Sequence, residues 1–172
     1  MPTRLLTLLV LAVAGSPSVA ATLAPGDPFP AWTLVDQTGA KVSSKDLAGK
    51  TYLIWFYPKA MTPGCTTEGL GLKDKFPAFR EKGIEILGVS FDAPSANAEF
   101  VQKQGFPFRL LSDSERTLAV AVGAADSPQD AVARRISYLV GPDGKVRKVY
   151  PKVDPGDHAR EVLADADASG TK

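Results

Sequence analysis

Residues 51–68 read "TYLIWFYPKAMTPGCTTE". The first seven residues, 51–57, form an unbroken apolar, aromatic and β-branched run. Such a run fits a strand buried on both faces, as in a sheet covered by helices. After a short connection, Thr62 stands where a helix N-cap belongs, and Pro63 falls at the first helical position, where its missing N–H costs nothing. The stretch therefore predicts a strand, a brief loop and a helix whose first turn carries Cys65, the one cysteine of the chain.

The predicted helix runs over 62–83, with Leu72, Phe76 and Phe79 on one apolar face and Gly83 as its stop. Gly69 and Gly71 weaken it, and Pro77 removes a backbone donor, so a break is expected near 74–77. Upstream, "WTLVDQTGAKVSS" (32–44) predicts a hairpin around Gly39, and "SKDLAGK" (44–50) one helical turn. Downstream, "IEILGVSF" (84–91) predicts a second buried strand and "APSANAEFVQKQG" (93–105) a second helix. A short strand follows at 106–113, and "SDSE" (112–115) has capping-box spacing ahead of a short helix. Residues 124–131 predict a loop, 134–151 a hairpin around "GPDG", and 154–166 a terminal helix holding His158 in its first turn. Strands and helices alternate before a late hairpin. The fold class is α/β, a central mixed sheet flanked by helices, with an N-terminal β-hairpin extension.

The chain has 172 residues, 20 Lys and Arg against 19 Asp and Glu, and an ordinary apolar content. That suits one domain, and the charge balance argues against a nucleic-acid or anionic-membrane partner. The first twenty residues differ from the rest. They hold Arg4, an apolar stretch from Leu5 to Ala14, and small residues Ser18 and Ala20 ahead of Ala21. This is the layout of a secretory signal peptide, so residues 1–20 are expected to be removed and residues 23–172 to form the working domain, with no membrane association after cleavage. The expected location is outside the cytoplasm, in a periplasm.

In an exported chain, a leftover odd cysteine suggests a reactive thiol or an intermolecular disulfide, with a buried inert thiol as the plainer alternative. The start of a helix carries partial positive charge and unpaired N–H groups, both of which favour a thiolate. A thiol beside a base is the usual nucleophile, but the single histidine, His158, lies far along the chain, so a Cys–His pair is a weak reading. One cysteine and one histidine do not make a zinc site, no nucleotide-binding glycine motif occurs, and dithiol exchange needs a second cysteine. No metal or cofactor is expected.

With these residues in view, "YPKAMTPGCTTE" (57–68) resembles the peroxidatic motif of the peroxiredoxins, Pro-x-x-x-Thr-x-x-Cys, and most closely that of the peroxiredoxin Q, or bacterioferritin comigratory protein, subfamily. The likeness continues through "GIEILGVSFD" (83–92), "RRISYLVGPDGKVRKVY" (134–150) and "VDPGDHAREVL" (153–163), over nearly the whole chain after the leader. It implies a thioredoxin-like fold of the peroxiredoxin type. It also implies reduction of hydrogen peroxide and organic hydroperoxides, leaving a sulfenic acid on the cysteine. By the same resemblance, Cys65 is the attacking sulfur, Thr62 orients thiolate and peroxide, and Pro58 shields the sulfur. Arg135, rather than its neighbour Arg134, polarises the peroxide, and Glu68 supports the network.

The sequence departs from the subfamily in one respect. Many members have a second cysteine five residues after the first, where this chain has Leu70. An internal disulfide is therefore ruled out, and the expected reductant is an external thiol: a thioredoxin-like or glutaredoxin-like protein, or glutathione. Without a resolving partner, the sulfenic acid is open to irreversible over-oxidation. A monomer is expected, with a dimer as the alternative, and a disulfide between two Cys65 residues is a further route for the oxidised sulfur. A second functional reading is an exported redox sensor or binding protein of the same fold, one that forms mixed disulfides without efficient turnover.

Overall fold

The computed structural model describes residues 21–169. The signal-peptide expectation falls on residues 1–20 and lies outside them. Seven strands form one sheet: β1 (Thr33–Asp36), β2 (Lys41–Ser43), β3 (Thr51–Phe56), β4 (Ile84–Ser90), β5 (Arg109–Ser112), β6 (Ile136–Val140) and β7 (Val146–Tyr150). Their order across the sheet is β2-β1-β5-β4-β3-β6-β7. The central strands β3, β4 and β5 are parallel, and the flanking pairs β3–β6, β6–β7, β1–β5 and β1–β2 are antiparallel. The expected N-terminal hairpin is present, but it is no appendage: Val35 and Asp36 pair with Ser112 and Leu111, so the hairpin extends the main sheet.

The apolar run 51–57 is buried on both sides, as its composition requires. Tyr52, Ile54 and Phe56 share one core with Phe29, Trp32, Leu47 and Leu118, contributed by the leading segment, the 3-10 turn Ser44–Leu47 and the short helix α4 (Thr117–Ala121). Leu53, Trp55 and Tyr57 face the other core. There they meet Leu72 of α1 (Pro63–Asp74), Phe79 of α2 (Phe76–Glu81), Phe100 of α3 (Pro94–Gln104) and Val162 of α5 (His158–Ser169). Period-two alternation along β3 thus joins two separate cores through one strand.

The helix predicted over 62–83 is two helices broken at Lys75, one residue before the pair Phe76–Pro77, where the proline cannot extend the α1 hydrogen-bond ladder. The terminal helix begins at His158, four residues later than expected. The capping box predicted at 112–115 is absent. Instead, Arg116 precedes α4 in the left-handed region, and the buried Asp113 carboxylate accepts from the N–H groups of Leu118 and Ala119. One carboxylate thus serves the orphan donors of the helix start from outside its cap position. Ser43 and Asp46 do form a capping box, on the 3-10 turn.

Gly69, which weakens α1 by propensity, is explained by packing. A Cβ there would stand 2.4 Å from the Phe106 ring. That ring is held edge-on to Phe100 at 4.9 Å between centroids and stacked on Phe108 at 5.1 Å. Gly69→Ala would gain up to about 1 kcal/mol of helix propensity and lose about 1–3 kcal/mol to overpacking. Denaturant unfolding is expected to show a net loss of stability.

Candidate active site

The carboxyl end of β3 sets the site. After Tyr57 and the half-buried Pro58, the chain makes a tight connection to α1 in which Met61 is held at φ 66°, left-handed for a non-glycine residue. Such a conformation costs about 1–3 kcal/mol and persists only where its surroundings fix it. Two hydrogen bonds do so: Ala60 N–H donates to Asp92 Oδ2 at 2.8 Å, and Thr62 Oγ1 donates to the Lys59 carbonyl at 2.9 Å. Thr62 stands at the N-cap of α1, as its sequence position predicts, but its hydroxyl does not cap the helix. It is turned back to close the loop instead. The helix start is therefore left without a side-chain cap, beside the sulfur.

Cys65 is buried in the first turn of α1. Arg135 Nη2 lies 3.4 Å from its Sγ. Arg135 Nη1 pairs with Glu68 Oε2, one helical turn after Cys65. The guanidinium thus bridges sulfur and carboxylate. Burial alone would lower the Arg135 pKa, but its bonds to Cys65 and Glu68 raise it on balance. The register of the sheet explains why Arg135 and not Arg134 is there. Ile136 pairs with Phe56, so residue 135 falls just beyond the end of β3. Alternation then sends Arg135 and Ser137 to the α1–α5 side. Arg134 takes the other side and donates to the Gly123 carbonyl and to Asp126.

Gly64, which the sequence reading passed over, is part of this geometry. A Cβ on it would lie 3.1 Å from Arg135 Nη2. Its bare Cα lets the guanidinium reach the sulfur. The only sequence signal was a glycine in a helical first turn, where propensity gives no reason for one.

His158 makes no pair with Cys65. It is buried at the start of α5, with Nε2 2.9 Å from Ser137 Oγ and 3.9 Å from Glu68 Oε1. Its ring stands edge-on to Tyr150, 5.2 Å between centroids. Burial, together with Arg135, holds its pKa down at about 4, so it is neutral at physiological pH. Burial pushes the Glu68 carboxyl up to about 7, against the pull of Arg135. Behind the site, Tyr57 Oη donates to Asn97 Oδ1 at 2.7 Å, and Asn97 Nδ2 donates to Ser112 Oγ at 3.2 Å, which fixes the strand ends. Among the described residues, no group of three or more His, Cys, Asp or Glu gathers as a metal site, and no helix is long and apolar enough to cross a membrane.

Residues 25–149 match the model of the AhpC/TSA family. A putative peroxiredoxin bcp from Haemophilus influenzae is 37% identical over 147 residues, 82% of this chain and 94% of the relative. Peroxiredoxin Bcp of Escherichia coli is 35% identical over 144 residues, 80% of this chain and 92% of that one. Among solved structures, a cysteine-to-serine mutant of Xylella fastidiosa PrxQ superposes with a TM-score of 0.80 at 29% identity, covering 87% of this chain and 99% of the other. The bacterioferritin comigratory protein of Xanthomonas campestris, described for alkyl peroxide reduction, gives 0.75 at 35% identity, covering 80% and 91%.

A thioredoxin-like sheet with a cysteine at a helix start and an arginine on its sulfur defines a thiol peroxidase of the peroxiredoxin class. The chain belongs to the AhpC/TSA family, and its relatives there are the Bcp and peroxiredoxin Q proteins.

Two outcomes are expected from this geometry. Gly64→Ala favours the helix by up to about 1 kcal/mol but crowds Arg135. Stopped-flow measurement of peroxide reaction should find it slower while unfolding shows stability unchanged or raised. The second concerns pH. The folded state holds a proton on Glu68 between 4.5 and about 7 that the unfolded chain has released. Stability contributed by this group therefore falls as pH rises through that window. Glu68→Gln removes that slope, so urea unfolding should show the variant gaining on the parent as pH rises from 4.5 to about 7.

Proposed function

We propose that this enzyme is a one-cysteine peroxidase in which Cys65 attacks hydrogen peroxide or an organic hydroperoxide and an outside thiol completes the cycle. The contact between Arg135 Nη2 and Cys65 Sγ carries this reading, because it sets a fixed cation on the reacting sulfur at the uncapped start of α1.

The chemistry follows from that placement. The thiolate sulfur attacks one peroxide oxygen, the S–O bond forms as the O–O bond breaks, and the other oxygen leaves with the electron pair and takes up a proton. Sulfur is oxidised to the sulfenic acid, and the peroxide is reduced to water or an alcohol. Negative charge gathers on the departing oxygen, so fixed donors beside it stabilise the transition state. Arg135 and the free N–H groups of the helix start supply such donors. By the resemblance, Thr62 orients thiolate and peroxide and Pro58 shields the sulfur, and the pairing of Glu68 with Arg135 supports its holding the guanidinium in place. The alkyl peroxide reduction described for the Xanthomonas campestris relative supports organic hydroperoxides as substrates.

The chain has no second cysteine. The sulfenic acid is then reduced in two steps by an external thiol: one thiol displaces water to form a mixed disulfide with Cys65, and a second thiol releases the Cys65 thiol. A thioredoxin-like or glutaredoxin-like protein, or glutathione, fits this chemistry. The leader-like residues 1–20 support export to a periplasm, and we read the enzyme as a monomer. Treatment with one equivalent of peroxide followed by dimedone should label Cys65, as read by peptide mass spectrometry. A free, unlabelled thiol afterwards would overturn the assignment. Turnover with each candidate reductant then separates a peroxidase from a sensor that is oxidised once and not recycled.

A further inference from the structure

His158 is a buried histidine that takes no part in the hydrogen bonding of Cys65, yet it lies against the carboxylate that holds Arg135. Its neutral ring has one donor and one acceptor nitrogen. Nε2 has the Ser137 hydroxyl at 2.9 Å, whereas Nδ1 has no hydrogen-bond partner among the described residues. A buried N–H without an acceptor is rarer and costlier than an unshared lone pair, so the proton belongs on Nε2. Nε2–H then donates to Ser137 Oγ, and the positive end of that dipole lies near Glu68 Oε1, which is 3.9 Å from the same nitrogen.

Glu68 has the complementary deficit. Its Oε2 is taken by Arg135, while its Oε1, buried, finds no hydrogen-bond donor among the described residues. His158 Nε2 stands 3.9 Å from Oε1. The ionisable and charged groups about this pair come from four elements. Cys65 lies on the same helix as Glu68. Arg135 lies just before β6, His158 on α5, and Tyr150 on β7 against the imidazole. Tyr150 stays protonated because burial raises its pKa.

We propose that His158 is a positioning residue of the peroxidase: its Nε2–H stabilises the carboxylate form of Glu68 through Oε1, so that Oε2 keeps Arg135 on the Cys65 sulfur. This rests on the reading of Cys65 and Arg135 as the reacting sulfur and its cation. The arrangement matters near neutrality, because the Glu68 carboxyl titrates at about 7 and a modest dipole there changes the share of carboxylate. A charged imidazole would oppose Arg135, so the neutral ring suits the task.

The test compares His158→Phe, which fills the space without an N–H, with His158→Gln, which keeps a donor. Stopped-flow rate constants for hydrogen peroxide and the reduced protein are measured across the neutral range. With His158→Phe, the acid limb of the profile should move up by about one pH unit and the neutral rate should fall several-fold. His158→Gln should bring the limb back toward the parent. In a Glu68→Gln background, His158→Phe should not move the limb. A limb that stays put in His158→Phe, or moves equally in both backgrounds, overturns the proposal.

If His158→Phe fails to fold, His158→Leu takes its place. In either case a 13C NMR titration of the Glu68 carboxyl reads the effect without activity. The carboxyl should titrate higher without the imidazole, and an unchanged titration also overturns the proposal. Dimedone labelling of the parent separates the two readings: no label at Cys65 sinks the peroxidatic assignment and this inference with it, while a label with an unmoved limb sinks this inference alone.

Discussion

The pairing of Ile136 with Phe56 is the constraint on which the site rests. It brings the segment before β6 alongside the end of β3, and everything chemical follows from that proximity. One side delivers Arg135, and the other leads through Pro58 to the start of α1 and Cys65. A slip of one residue would exchange the faces of β6 and present Arg134 to the sulfur in place of Arg135. The register is locked from both faces, since Ile136 and Tyr138 belong to one core and Leu139 to the other. The position of one guanidinium is thus fixed by the packing of two hydrophobic layers.

Around that guanidinium, the protein trades stability for placement. Among the described residues, Glu68 lies buried with one oxygen lacking a hydrogen-bond donor, Met61 holds a left-handed backbone, and α1 begins without a side-chain cap. Each feature is unfavourable taken alone, and all three lie within one stretch of eight residues. Behind the loop, paired strands, aromatic contacts and a hydrogen-bonded network of Tyr57, Asn97 and Ser112 hold the frame. Buried ion pairs seldom add net stability, and removing one partner typically costs about 3–5 kcal/mol. The Arg135–Glu68 pair is best understood as fixing a direction rather than as strengthening the fold.

Much of this was legible in the residues. The run 51–57 gave the doubly buried strand, Pro77 the helix break, and Thr62-Pro63 the helix start, because each depends on local backbone chemistry. The choice of Arg135 over Arg134 came from resemblance, and the sheet register supplies its physical reason. What could not be read depends on contacts distant in sequence. Gly69 answers to Phe106 and Gly64 to Arg135. Thr62 misled for a local reason: its place at the N-cap was right, but the Lys59 carbonyl three residues back takes its hydroxyl. The lone histidine looked like a possible base, and only the tertiary fold gave it a carboxylate as neighbour.

The burial of Cys65 bears on time as much as on chemistry. A peroxide is small enough to visit an enclosed sulfur, and a thiol carried by another protein is not. A protein thiol, unlike a peroxide, would reach that sulfur only with the first turn of α1 displaced. With such a reductant, the lifetime of the oxidised enzyme would follow how often that first turn loosens from its neighbours.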